Sequence, residues 1–227
     1  MIPRIILGEL LNNTNTQNIH QVEIINLSRD VKDLKSEKYL KLNPQGIVPT
    51  LVIEYINNNN NNINDNNNEP TIIVIYETLA ICYFLSELFI NGKLEPNRNN
   101  LQKRAKFHQW MSLICNSLQN DSYHYYYSHR YVKSIEQEEL LKKETEERMF
   151  EKFKIFENEL KDGREYILGN NEYSIIDIYL FVVATWTRNM NLKARDLPFL
   201  GKYLERIFNR KIVNEIVKSE RDSEPYY

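Results

Sequence analysis

Every strand-like segment of this chain lies before residue 77, and every segment after residue 100 carries helical patterning. That separation constrains the fold more than any other feature. Strands and helices that do not alternate along the whole chain imply a small mixed α/β unit followed by an all-helical one. Residues 91–100, with Gly92 and Pro96 among asparagines, are the natural linker. The expected layout is an N-terminal domain over 1–90, a linker over 91–100 and a helical domain over 101–227. A chain of 227 residues is long enough for a proper core in either one large domain or two small ones.

Within the first part, Pro3 suits the opening turn of a helix, and Ile6, Leu7, Leu10 and Leu11 put an apolar stripe behind it. Residues 12–18 are turn-like. Residues 22–27, β-branched and apolar, predict a buried strand. Residues 32–42 are charged and predict a short exposed helix or a loop. Residues 50–56 and 71–76 predict two further strands. Between those two strands, 57–68 is almost pure asparagine and has nothing to bury, so a disordered hairpin loop is expected there. Residues 79–89 are apolar nearly all round and predict a buried helix.

The second part predicts helices over 101–118, 135–160, 175–190 and 199–217, with Met149, Phe153, Phe156 and Leu160 on one stripe of the second. Ser174 and Asp177 have the spacing of a capping pair, and Tyr173 and Ile178 can pack across it as a hydrophobic staple.

Composition removes several function classes. With 29 basic and 31 acidic residues, a nucleic-acid surface is not the main business of the chain. The longest apolar run, 178–186, is far below the roughly 20 residues that span a bilayer. The N-terminus lacks the small-residue cleavage site of a signal peptide. Cys82 and Cys115 sit in apolar helical contexts and read as small buried hydrophobes in a reducing compartment. The expectation is a soluble, cytoplasmic protein with no nucleic-acid or membrane partner. His124 and His129, five apart, are poorly spaced for one helical face and read as surface or cleft-lining residues rather than a metal pair.

Two motifs carry chemistry. Asn43-Pro44-Gln45-Gly46-Ile47-Val48-Pro49-Thr50-Leu51 reads as a turn, a proline and a strand start. Tyr76-Glu77-Thr78-Leu79-Ala80-Ile81 reads as a helix N-terminus with a carboxylate and a hydroxyl at its mouth. Together they could hold a small extended peptide by its backbone and by its charged end.

These motifs, with Tyr173-Ser174-Ile175-Ile176-Asp177-Ile178-Tyr179-Leu180-Phe181, resemble the glutathione S-transferases over nearly the whole chain apart from the asparagine tract. Phe107-His108-Gln109-Trp110-Met111-Ser112 resembles the bacterial beta-type enzymes. The resemblance implies a thioredoxin-like N-terminal domain, an all-α C-terminal domain, a homodimer, and glutathione as co-substrate with no further cofactor. It implies attack of the glutathione thiolate on an apolar electrophile. It implies a cis Val48–Pro49 bond, with Val48 and Pro49 presenting backbone to the cysteinyl part of glutathione, while Glu77 and Thr78 hold the γ-glutamyl end. An ordinary helix cap remains the alternative at Glu77 and Thr78.

The same resemblance exposes departures. Such enzymes place a Tyr, Ser or Cys thiol activator between a first strand and a first helix, whereas only Met1 and Ile2 precede the helix expected here. The first strand is missing, either because the form is N-terminally shortened, which is the preferred expectation, or because the domain has rearranged, and the catalytic residue is unassigned. By register from Trp110, Ser112 and Gln119 stand where the beta-type enzymes have Asn and His, making them possible cleft residues. Gln119 can donate a hydrogen bond but cannot act as a base near neutral pH. The run Tyr123-His124-Tyr125-Tyr126-Tyr127 could line a pocket for an apolar co-substrate, pack between helices or form a dimer face. Two other readings of the chain are a non-catalytic protein-interaction module and a thiol–disulfide reductase of the same fold, the latter lacking a reactive residue.

Overall fold

The computed structural model describes residues 1–13, 21–27, 31–55, 71–89, 93–221 and 224–226. The chain forms two compact units: Asn15–Leu85, and Met1–Thr14 together with Ser86–Tyr227. The expected asparagine-rich loop at 57–68 lies outside the described residues, as does the part of the expected turn beyond Asn13.

In the smaller unit two short helices, α2 (Val31–Leu34) and α3 (Glu37–Leu42), precede an antiparallel pair, β1 (Thr50–Tyr55) and β2 (Thr71–Tyr76). The register runs from Thr50 opposite Tyr76 to Tyr55 opposite Thr71. Ser36 caps α3, its hydroxyl accepting from the Tyr39 N–H at 3.3 Å. α4 (Thr78–Leu88) starts two residues after β2 ends.

The strand expected at 22–27 does not form. Residues 21–27 have no regular structure, and Val22, Ile24 and Ile25 are 44, 51 and 71% exposed. β-Branched composition supplies propensity, but a strand exists only through a neighbour that takes its hydrogen bonds. Among the described residues the sheet has two strands, β1 and β2, and neither pairs with this segment. The helix expected to be buried all round is also corrected. α4 hides Ile81, Cys82, Leu85 and Ser86, while Ala80 and Leu88 face outward.

The larger unit contains α1 (Ile2–Asn13), α5 (Leu101–Ser112), α6 (Gln119–Tyr126), α7 (Ile135–Glu159), α8 (Ile175–Thr185), α9 (Pro198–Phe208) and α10 (Lys211–Glu220). α5 and α6 are one continuous rod interrupted by a π-helical turn, Leu113–Leu118. All eleven residues of α8 are buried, so an apolar run too short for a membrane serves as the central helix of the unit. The stripe Met149, Phe153, Phe156 and Leu160 is buried as expected. α1 packs on α8 and α10 through Ile2, Ile5, Ile6 and Leu10. Leu7 and Leu11 from its expected stripe are only half-buried.

Two helices end earlier than their patterning predicts. α8 stops at Thr185 and passes into a 3-10 turn, Trp186–Asn189. The single helix expected over 199–217 is two, α9 and α10, broken at Asn209 and Arg210. Arg210 is extended (φ −66°, ψ 132°), and its guanidinium grips the buried Glu9 of α1 at 2.9 and 3.1 Å while lying 3.5 Å from the centre of the Tyr173 ring. That long-range ion pair occupies the break and carries no periodic signal in sequence.

Asp177 fixes the start of α8 as expected, and does more. Its carboxylate accepts from the Ser174 N–H (2.8 Å) and Ser174 hydroxyl (3.1 Å), forming the capping box. It also accepts from the Ile167 N–H (3.0 Å) and the Tyr203 hydroxyl (2.7 Å) of α9. Burial raises its carboxyl above the usual range, against the pull of those four donors. Among the described residues neither cysteine forms a disulfide; Cys82 is buried and Cys115 half-buried. Among the described residues no helix is long and apolar enough to cross a membrane.

Candidate functional site

The turn between α3 and β1 is built by two side chains that close on one carbonyl. Asn43, 1% exposed, donates its Nδ2 to the Ile47 carbonyl at 2.7 Å, and the Tyr39 hydroxyl donates to the same oxygen at 2.6 Å. The Asn43 Oδ1 accepts from the Gln45 N–H at 3.1 Å. Gly46 has φ +62°, and a Cβ there would stand 2.6 Å from the Lys35 Nζ and 2.7 Å from the Leu34 carbonyl oxygen. Only glycine fits that corner. With Ile47's carbonyl pinned, the chain leaves the turn through a cis Val48–Pro49 bond and enters β1. Val48 is 56% exposed, and among the described residues its N–H and C=O have no backbone partner. It presents an open stretch of peptide to solvent.

Glu77 faces the same corner. It is a non-glycine residue in the left-handed region (φ 74°), a conformation that costs on the order of 1–3 kcal/mol and concentrates at functional sites. Its own carbonyl accepts from the Ile81 N–H at 3.0 Å, so its backbone opens α4. Its carboxylate does not cap that helix. It is held by the Gln45 side chain, whose Nε2 donates to Oε1 at 2.7 Å. The left-handed turn therefore sends the carboxylate across to the 43–49 turn. Thr78 is the first residue of α4, where N–H groups lack intrahelical acceptors and the helix dipole favours an anion. The structure thus brings Glu77 and the Val48–Pro49 turn to one corner of the small unit, with Thr78 next in the chain.

Two members of this corner were not singled out in the sequence. Gln45 lies inside the quoted motif, and only its bond to Glu77 gives it a task. The Lys35 Nζ donates to the Gln45 carbonyl at 3.0 Å, bringing a cation to the corner. Lysine in a charged segment carries no signal of such a role.

Ser112 and Gln119 belong to the larger unit and are not equivalent. Ser112 is exposed at the end of α5. Gln119 is held at both ends of its amide. Its Oε1 accepts from the Tyr179 hydroxyl at 2.6 Å and its Nε2 donates to the Tyr123 hydroxyl at 3.0 Å. Cys115, one turn earlier, also bonds to Tyr179, yet burial pushes its thiol up to about 11. It is a protonated packing group at neutral pH, not a nucleophile. His124 packs against Tyr131 with the rings tilted by 43° (4.4 Å between centroids) and touches the Asn120 carbonyl, while His129 packs edge-on to Tyr127. Tyr123, Tyr126 and Tyr127 are 39–46% exposed, so the aromatic run divides between packing and an open face.

Comparison with known proteins matches both units. Residues 18–88 match the family described as glutathione S-transferase, N-terminal domain, and residues 120–211 match glutathione S-transferase, C-terminal domain. Among solved structures, a glutathione transferase homologue from Sulfitobacter with bound glutathione superposes with a TM-score of 0.73 at 18% identity, covering 96% of this chain and 92% of that one. A glutathione S-transferase from Xylella fastidiosa gives 0.74 at 18% identity with the same coverage. The bacterial beta-class enzyme of Sphingomonas chungbukensis gives 0.66 at 22%, again over 96% and 92%. At such identities the likeness is one of fold: a thioredoxin-like domain, with two strands among the described residues, and a helical domain. A search of curated protein sequences finds no significant match.

Proposed function

Because this chain belongs to the glutathione S-transferase family, we propose that its small unit holds glutathione and presents the thiol for attack on an apolar electrophile. The observation that carries this reading is the left-handed Glu77, whose carboxylate is turned away from its own helix and held by Gln45 at 2.7 Å. A helix cap needs no such strain, and backbone strain of this kind concentrates where a side chain is aimed at a ligand. In this reading Glu77 accepts from the γ-glutamyl ammonium, and Thr78 with the first N–H groups of α4 takes the neighbouring carboxylate. The exposed peptide of Val48, followed by Pro49, pairs with the cysteinyl backbone. Glutathione is the co-substrate and no other cofactor is required. Ser112 and Gln119 are the proposed cleft residues of the helical domain, with Gln119 acting as a hydrogen-bond bridge. The protein works as a cytoplasmic homodimer, and the group that activates the thiol is unassigned.

Isothermal titration with reduced glutathione tests the reading. The wild-type protein binds, and Glu77→Ala weakens binding by roughly ten- to a hundred-fold, as expected for a lost charge-assisted bond. A folded wild-type protein that takes up no glutathione at millimolar concentration overturns it.

A further inference from the structure

At the C-terminal end of α8, three side chains from separate parts of the chain converge on two consecutive residues. Arg188, from the 3-10 turn after α8, donates from Nη1 to the Thr185 carbonyl at 3.2 Å. Arg221, just beyond α10, donates from Nη2 to the Thr185 hydroxyl oxygen at 2.6 Å. That hydroxyl is itself committed, donating to the Val182 carbonyl at 2.6 Å. From α6, the Tyr126 hydroxyl donates to the Trp186 carbonyl. We propose that this convergence is a binding site for an oxyanion, a carboxylate, sulfonate or phosphate group, held between the guanidiniums of Arg188 and Arg221.

Charge at this helix end is in excess. The last carbonyls of a helix carry about half a negative charge, which a single cation offsets. Here two full positive charges meet there. Every acceptor that the structure gives them is a neutral carbonyl or hydroxyl: Thr185 for both, and the Tyr226 carbonyl for Arg221. Among the described residues neither guanidinium has a carboxylate within ion-pair distance. Glu220, which precedes Arg221, is bonded to Arg4 at 2.8 Å and acts on the Arg221 guanidinium only from beyond ion-pair distance. Burial, and then repulsion from Arg188, pushes the Arg221 guanidinium down to about 10, well below its ordinary value. A bound oxyanion removes that repulsion.

Donor supply agrees. A guanidinium has five N–H groups in a planar fork suited to oxyanions, and Arg188 spends one of them here. The Tyr126 ring beside the site is 46% exposed and packs edge-on to Tyr125 with 5.2 Å between centroids. It offers a surface for the ring of an aromatic anion.

The test is calorimetric titration of the full chain, in chloride buffer of fixed ionic strength, with sodium sulfate and separately with sodium 4-nitrobenzoate. Saturable one-site binding of either anion is expected. Tighter binding of the nitrobenzoate assigns the site to an organic anion, and tighter binding of sulfate to a small inorganic one. The double variant Arg188→Gln/Arg221→Gln weakens binding by about ten-fold or more. Should it fail to fold, Arg188→Gln alone serves, because that side chain makes a single bond. Thermal unfolding separates the proposal from simple helix capping. With an anion site, Arg188→Gln leaves Tm unchanged or raised without added anion, and abolishes the rise that anion gives the wild type. Binding of neither anion, equal affinity in the variants, or a lower Tm of Arg188→Gln without anion overturns the proposal.

Discussion

The helical unit and the small α/β unit treat their apolar residues in opposite ways. In the helical unit α8 is wholly buried, and the one carboxylate inside it meets four donors. In the small unit Val22, Ile24 and Ile25 lie open, and the sheet is a single pair of strands among the described residues. Helices satisfy their backbone within themselves, so a helical unit needs only side-chain packing to close. A sheet satisfies its backbone only through neighbours, so every strand without one leaves both polar groups and apolar side chains exposed.

Hydrogen exchange puts the contrast to its hardest test. Amides of α8 should exchange only through global unfolding, and those of 21–27 at close to the free-peptide rate. The gap is then on the order of 5 kcal/mol or more. Strong protection across 21–27 would break the contrast. Next in size is Asp177→Ala. It strands the Ile167 N–H, the Ser174 N–H and hydroxyl and the Tyr203 hydroxyl, and should lower urea-unfolding stability by about 3–5 kcal/mol. A loss under 1 kcal/mol, by the same measure, would mean that the helical unit closes without its polar centre.

Glu77→Gly should act in the other direction in the small unit. It relieves the left-handed backbone and raises stability by about 1 kcal/mol. Calorimetry should show glutathione binding lost in the same variant. Destabilisation would show that Glu77 serves the fold rather than a ligand. The smallest effect is expected at Asp162, whose exposed carboxyl is held down to about 2 by the Arg164 side chain and N–H. A lowered carboxylate contributes stability above its unfolded value of about 3.8, and that contribution is lost as pH falls through about 2. Asp162→Asn should therefore lower Tm slightly at neutral pH, and the difference from wild type should vanish as pH falls through about 2, which flattens the acid limb of a Tm-against-pH curve.

What could be read in advance divides along the same line. Ser174 and Asp177 are three residues apart, so the capping box is written locally. Met149, Phe153, Phe156 and Leu160 declare their face by spacing alone. The pair of strands β1 and β2 follows from two apolar runs and the spacer between them. By contrast, the exposure of 22–27 depends on what lies beside it in space, and composition does not carry that. The break at Arg210 depends on Glu9, two hundred residues away. In the small unit's corner, the motifs singled out Val48, Pro49, Glu77 and Thr78 as candidates, and the closing of the turn puts Glu77 against Gln45. Gln45 and Lys35 were not singled out, because their tasks arise only when the turn closes and brings them to Glu77.

The π-helical turn between α5 and α6 has a consequence for counting. The Gln119 N–H donates to the Ile114 carbonyl, five residues back instead of four. One surplus residue is thereby absorbed without breaking the rod, as an insertion would be. Positions seven apart lie nearly in line on a plain α-helix, but Ser112 and Gln119 straddle the surplus and are swung out of line. One stands in solvent and the other is locked between Tyr179 and Tyr123.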